Sequence, residues 1–239
     1  MEIILITLLT IVASAIGTVT GFGISTIMIP VLAIVLPPVE AIFFVSIVHW
    51  FDNIWKITLF RSGLNWKLIG LFGATGLVTS YIGAALTLNI DGTILLQILG
   101  VFLAVYAVFL LLQSKLKVPA SSSAAVIGGS LSGFFAGMFG IGGAIRSAFL
   151  ALFDLPKAVY IATAGAIGLM VDLTRIVTYV AGGVTLPQTL LYGLIIVIPV
   201  SLLGAFLGKG VVDKIPQRQF RSVVAVLIFL IGIKLVVLP

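Results

Sequence analysis

Cysteine is absent from this 239-residue chain, which excludes disulfides, thiolate metal sites, haem attachment and palmitoylation. Charge is scarce: Asp, Glu, Lys and Arg make up 8% of the residues, and histidine occurs once. A lone histidine without cysteine makes no metal site, so neither a metal nor a cofactor is expected. Catalytic signatures are missing as well. There is no His-Glu-x-x-His and no Gly-x-Gly-Asp, the glycines Gly137, Gly140, Gly142 and Gly143 lack a Gly-Lys-Ser/Thr ending, and Gly23-Ile24-Ser25 has no partner histidine at a recognisable spacing. No catalytic residue is assigned. The chain reads as a non-enzyme, with an intramembrane enzyme using Ser25, His49, Asp52 and Lys56 as the minor alternative.

What is present is apolar. Hydrophobic residues make up 61% of the chain, the mean hydropathy is +1.35, and apolar runs exceed helix-spanning length, so this is an integral membrane protein. The short alternating segments of a membrane barrel are absent, which leaves an all-α bundle. Twenty-six glycines suit helices packed backbone to backbone in lipid. The net charge of +6 comes from Lys and Arg in short connections between apolar segments. That pattern sets membrane orientation, and no nucleic-acid partner is expected. Ala13-Ser14-Ala15 imitates a signal-peptidase site, but no basic stretch precedes it and the apolar character continues to Leu36. Residues 3–36 are therefore read as part of the mature fold.

Apolar segments run roughly over 3–20, 24–36, 38–60, 67–88, 93–112, 123–137, 143–153, 156–181, 187–208 and 218–238. The polar stretch from Gln113 to Ser123 is the natural linker, giving a first membrane repeat at 1–112, a cytoplasmic linker at 113–122 and a second repeat at 123–239. At an offset of 119, Gly21 matches Gly140, Gly23 matches Gly142, Pro37 matches Pro156, Lys56 matches Arg175 and Gly63 matches Gly182. After a two-residue slip, the block Ser80 to Leu86 aligns with Ser201 to Leu207. An ordered set of this kind points to duplication.

The basic residues order the segments in the membrane. Arg61, Lys67, Lys115, Lys117, Lys157, Lys209, Lys214, Arg218 and Arg221 all fall on one side if 3–36 and 123–153 dip in and return as hairpins. Each half then has a glycine-broken re-entrant hairpin followed by three transmembrane helices, and the three crossings make the repeats inverted. Eight crossings with parallel repeats is the alternative.

Both hairpins break at glycines: Gly21-Phe22-Gly23-Ile24-Ser25 in the first half and Gly140-Ile141-Gly142-Gly143-Ala144 in the second. Hydrocarbon offers no hydrogen-bond partners, so a helix can unwind at membrane depth only where its freed groups face protein or a cavity. The second break resembles the glycine-rich signature of the TauE/SafE sulfite exporter family, which runs approximately Gly-x-Gly-Gly-Gly with a following proline. Phe149 stands where that proline is expected, whereas the first copy has fewer glycines but keeps Pro30. The resemblance covers essentially the whole chain. It implies a multi-pass protein of the cytoplasmic membrane that moves small anions such as sulfite or an organosulfonate.

The residues themselves point to an anion. A broken helix presents unsatisfied N–H groups and a positive dipole end. The candidate binding set is Gly21, Phe22, Gly23, Ile24, Ser25 and Thr26 at the first break, with Gly140, Ile141, Gly142, Gly143, Ala144 and Arg146 at the second. Arg146 has no acidic residue within four positions, and an intramembrane arginine is costly. It either binds the substrate or snorkels towards Asp154 and Lys157. His49, Asp52, Asn53 and Lys56 share one helical face, and their counterpart segment carries Asp172 and Arg175. These six are candidates for ion coupling or for internal ion pairs, Asp52 with Lys56 and Asp172 with Arg175; Lys56 could also snorkel. With His49 neutral, Asp52, Lys56, Arg146, Asp172 and Arg175 leave one positive charge, which suits a monoanion. The stripe of Gly128, Gly129, Ser132, Gly133, Ala136 and Gly137 reads as a helix-packing face. The expected function is a carrier with alternating access, or alternatively a passive anion channel. Its expected partners are a small anion and membrane lipid, and a homodimer is compatible with the sequence.

Overall fold

Pro37 and Pro156 stand at matched positions and share one backbone conformation, with φ −51° and ψ 135° and 138°. Each precedes the first turn of a long helix, where proline sacrifices no helical hydrogen bond. Gly21 and Gly140, also at matched positions, both end a helix in the left-handed region, at φ +73° and +71°. At Gly140 the Schellman pattern is complete: Gly140 N–H donates to Ala136 C=O at 2.8 Å and Ile141 N–H to Phe135 C=O at 3.3 Å.

The structure, a computed structural model, describes residues 2–60, 63–112, 119–211 and 217–238. Arg61, Lys115, Lys117, Lys214 and most of the polar linker lie outside these residues, as do the side chains of Arg218 and Arg221. In order come α1 (Glu2–Thr20), α2 (Ser25–Leu32), α3 (Pro38–Leu59), α4 (Trp66–Thr87) and α5 (Gly92–Leu112). Then follow α6 (Ser122–Phe139), α7 (Gly143–Leu150, prolonged by a 3₁₀ turn at Ala151–Phe153), α8 (Lys157–Ala181), α9 (Gln188–Val211) and α10 (Gln217–Val237). Every helix expected from the apolar segments is present. Ser121 Oγ caps α6 by accepting from Ala124 N–H at 3.1 Å, so the linker ends one residue earlier than expected.

Among the described residues, α4, α5, α6, α8 and α9 are long and apolar enough to cross a membrane. α3 has the length, 22 residues, but carries Glu40, His49, Asp52 and Lys56. α2 and α7 have 8 residues each, about 12 Å at ~1.5 Å per residue, well short of a ~30 Å core. α6 approaches that thickness with 18 residues. Its pairing with α7 is therefore lopsided, a long leg with a short return.

Helices at matched positions of the two halves pair in corresponding ways. α1 packs on α9 and its counterpart α6 packs on α4; α3 packs on α8, and α5 on α10. α4 and α6 run parallel, with Gly129 on Phe72 and Thr75, Gly133 on Gly76, and Gly137 on Ser80. The small-residue stripe is thus a packing face: a Cβ at Gly137 would collide with the Ser80 carbonyl. α1 and α9 are parallel in the same way, Gly204 against Ile11 and Ser14, Gly208 against Ala15 and Thr18. α3 and α8 instead cross antiparallel, because His49 meets Asp172 while Asn53 lies by Gly168 and Lys56 by Gly165. α5 and α10 are antiparallel too, with Gly100 on Gly232 and Val236, and Gly232 on Leu103 and Ala104.

At the α3–α8 crossing, two matched positions meet: Asn53 Nδ2 donates to Asp172 Oδ2 at 2.9 Å. Two carboxylates here would face each other across a hydrogen-bond distance, where both cannot remain ionised without cost. The amide in one copy turns that repulsion into a bond.

Three outcomes follow for thermal unfolding in detergent. Gly137→Ala should lower the midpoint, because a methyl group must displace backbone. Gly193→Ala, where a Cβ meets nothing within 4 Å, should leave it unchanged or raise it, since alanine favours the helix by about 1 kcal/mol. Asn53→Asp should destabilise at neutral pH more than Asn53→Ser, because only the former adds a second carboxylate beside Asp172.

Candidate functional site

The two breaks touch. The Phe22 carbonyl of the first lies against the Gly143 Cα of the second, so closely that a Cβ at 143 could not exist there. Ser147 Oγ, on α7, donates to the Gly21 carbonyl at 2.6 Å. Neither α2 nor α7 has a side-chain N-cap, as expected for helix ends left open by a break. One of those open donors is already taken: Ala144 N–H donates to Tyr106 Oη at 3.0 Å. Ser25 and Thr26 are buried, and Thr26 Oγ1 donates back to the Phe22 carbonyl at 3.0 Å. Gly17 admits the return of the first turn, the Gly23 carbonyl carbon and Ile24 nitrogen passing where its side chain would be.

Charged side chains from the two crossing helices converge on these tips. Asp172 is the centre. Its Oδ1 accepts from Arg175 Nη2 at 2.7 Å, and its Oδ2 accepts from Asn53 and stands 2.8 Å from His49 Nδ1. Arg175, fully buried, also donates from Nη1 to the Ala136 carbonyl at 3.2 Å and lies against Gly140 at the second break. His49 Nε2 faces Gly23 at the first break, 2.5 Å from where a Cβ would be, and is buried without a hydrogen-bond partner.

Asp52 faces the other way along the same helix. Lys56 Nζ and Ser14 Oγ both reach it at 2.5 Å, and Ser14 Oγ also lies 2.7 Å from the Ser201 carbonyl. Asp52 therefore ties α1, α3 and α9 together. Both ion pairs anticipated from the sequence are formed. Lys56 and Arg146 are each 4% exposed, so both are enclosed within the bundle.

Arg146 is the cation left over. Among the described residues no carboxylate lies within ion-pair distance of it, and its Nε is buried without a partner. Its Nη1 lies over Gly168, the residue matched to His49, where the missing side chain leaves room for the guanidinium. With Gly17, Gly21, Asn53, Lys56 and Gly165, Arg146 lines a cavity of about 10 Å³, enough for one water molecule.

Three contributors were not singled out by sequence. Tyr106, Ser147 and Tyr160 hold the tips: Tyr160 Oη stands 3.4 Å from the Ser147 carbonyl and packs against Gly21. Tyr106 interrupts an apolar helix with a hydroxyl, which was the available signal. Two tryptophans have contacts away from the breaks: Trp55 Nε1 donates to Ser201 Oγ at 3.1 Å, and Trp66 is 73% exposed.

Residues 6–235 match the family model described as Sulfite exporter TauE/SafE. Over 197 residues the chain is 27% identical to a protein of Methanocaldococcus jannaschii described as a "Probable membrane transporter protein", an alignment covering 74% of this chain and 72% of that one. No solved structure matches the chain significantly. A match over nearly the full length, on a bundle of membrane-length helices, leads to one conclusion. The chain is a multi-pass membrane transporter protein that belongs to the TauE/SafE sulfite exporter family.

Proposed function

We propose that this protein is a carrier for a small anion, a sulfur oxyanion or organosulfonate such as sulfite or sulfoacetate, bound between the two broken helices near the bilayer midplane. The observation that carries the reading is Arg146: a buried guanidinium with no carboxylate partner, beside the contact of two glycine breaks. A charge in that setting calls for a counter-ion. Planar, forked donors suit a pair of sulfonate oxygens. The cavity is too small to hold such an anion, which supports a carrier that opens over a standing anion channel. The printed description of the family supports the sulfur oxyanion.

The carrier consists of two inverted repeats, each with a re-entrant hairpin and three crossings. The antiparallel crossings of matched helices, α3 with α8 and α5 with α10, support this, since an axis in the membrane plane reverses direction and an axis along the normal does not. Orientation follows the basic connections. Lys209 Nζ donates to the Leu59 carbonyl at 2.8 Å, and Asn65 N–H to Thr163 Oγ1 at 3.1 Å. Lys67, Ser121 and Phe153 line one surface cleft. These contacts bring four basic connections to one end, which we assign to the cytoplasm, in the cytoplasmic membrane.

Cysteines introduced at positions 2 and 122 should label from opposite faces of sealed vesicles; labelling from one face would replace this layout with eight crossings and parallel repeats. Binding tests the site. Sulfite, sulfoacetate, thiosulfate or sulfate should raise the thermal midpoint of the purified protein, and inorganic cations should not. Arg146→Ala should weaken the best binder roughly ten- to a hundredfold, the ~1.5–3 kcal/mol of a charge-assisted hydrogen bond. Arg146→Lys should restore it in part. Unchanged affinity in Arg146→Ala would move the site away from the breaks.

A further inference from the structure

His49 is the chain's only histidine, and its surroundings are unlike those of a residue held for packing. Neither ring nitrogen makes a regular hydrogen bond, but Nδ1 stands 2.8 Å from Asp172 Oδ2, at ion-pair distance, and we assign the proton of the neutral ring to Nδ1, towards the carboxylate. That leaves Nε2 as a bare lone pair. It is buried, has no partner, and points at Gly23 in the first break. An unpartnered acceptor enclosed in protein costs stability, and nothing in the packing of α3 requires an imidazole here. The matched position in the second half is Gly168, against which Asn53 and Arg146 pack, so the imidazole is peculiar to the first half.

We infer that His49 is the proton-coupling site of transport, taking one proton on Nε2 when the anion binds and releasing it when the anion leaves. This rests on the anion-carrier reading above and names its coupling ion. The groups around the ring favour that role. Asp172 of α8 faces Nδ1, and Arg175 holds the far oxygen of the same carboxylate. Asp52 and Lys56 lie one to two turns along α3 and neutralise each other. Arg146 of α7 lies with Asn53 over Gly168, one turn from His49 on the crossing helix. The first break and α2 bring no titratable group.

Protonation therefore adds a second uncompensated positive charge beside that of Arg146, and an arriving anion neutralises one of the two. The step balances: imidazole plus a proton gives imidazolium, with no other bond made or broken. The proton binds more readily with the anion present, and by reciprocity the anion binds more readily at lower pH.

The single histidine makes the test direct. With ¹⁵N-histidine-labelled wild-type protein in detergent at pH 7.5, adding sulfoacetate, methanesulfonate or sulfite should raise the protonated fraction of the imidazole. Sulfonates keep their charge across this range, so with them the protein alone titrates. Affinity for sulfoacetate should fall by up to tenfold per pH unit as pH rises, and His49→Gln should abolish that slope. In proteoliposomes carrying a luminal pH dye, a sulfoacetate gradient should drive proton movement through wild type and none through His49→Gln.

Anion binding that leaves the wild-type imidazole signal unchanged would overturn the inference alone and make His49 a structural partner of Asp172. Proton movement persisting in His49→Gln would overturn it equally. Failure of every sulfur oxyanion to bind would remove the anion-carrier reading and this inference with it.

Discussion

A carboxylate buried inside a membrane bundle must be surrounded by donors, and Asp172 meets that demand from both halves of the chain. Arg175 comes from its own helix, while Asn53 and His49 come from α3. Truncating either partner of such a group leaves an uncompensated charge, so the arrangement is held firmly even where its net contribution is small. Much else depends on it. With α3 fixed against α8 at this register, His49 lies under Gly23 and Arg175 reaches Gly140. Each break thus lies against a side chain whose other end rests on the same carboxylate.

The helices pair at matched positions of the two halves, but the polar residues do not match. Asp52 corresponds to Val171, His49 to Gly168, and Arg146 to Ile27. Gly168, the counterpart of His49, leaves the space that Asn53 and Arg146 fill: a Cβ there would lie 2.6 Å from Asn53 Nδ2 and 3.1 Å from Arg146 Nη1. A symmetric fold can therefore hold a single asymmetric site, in which one half provides the carboxylate at the crossing and the surplus arginine, and the other the imidazole. Two equal copies would bring like charges together where the matched positions meet.

Much of this was legible in the sequence. Helix positions followed from apolar length and from proline and glycine, since lipid forces every segment to satisfy its own backbone. The ion pairs Asp52–Lys56 and Asp172–Arg175 followed from helical spacing. Depth was less legible. Lys56 and Arg146 have stems long enough to reach an interface, and only the packing places them inside. The contacts between halves were not legible at all. That Asn53 bonds its own counterpart depends on where α3 crosses α8, and that Tyr106 takes the Ala144 N–H depends on α5 lying beside α7. Neither relation leaves a periodicity in the chain. The apolar segment read over 123–137 stops two residues short of the end of α6 at Phe139, and Gly137 is helical and serves packing.

The glycines at the breaks divide into two kinds, and the division bears on how the site opens. Gly21, Gly23 and Gly140 have positive φ, so their role is conformational and holds whether the tips are together or apart. Gly142, at φ −113°, and Gly143, in the first turn of α7, need no such freedom. Their requirement is proximity, Gly142 against the Ser132 carbonyl and Gly143 against that of Phe22. Residue 143 is thus constrained by the contact of the two breaks, in which Ser147 also holds Gly21, and the cavity beside that contact, lined by Gly21 and Arg146, measures about 10 Å³. A sulfonate cannot enter that space without parting the tips. Parting them gives up the Ser147 bond, a loss that contacts from an anion to Arg146 and to the freed donors can offset. On the carrier reading proposed above, substrate binding and tip movement are one event, which is the coupling a carrier needs and a fixed pore does without.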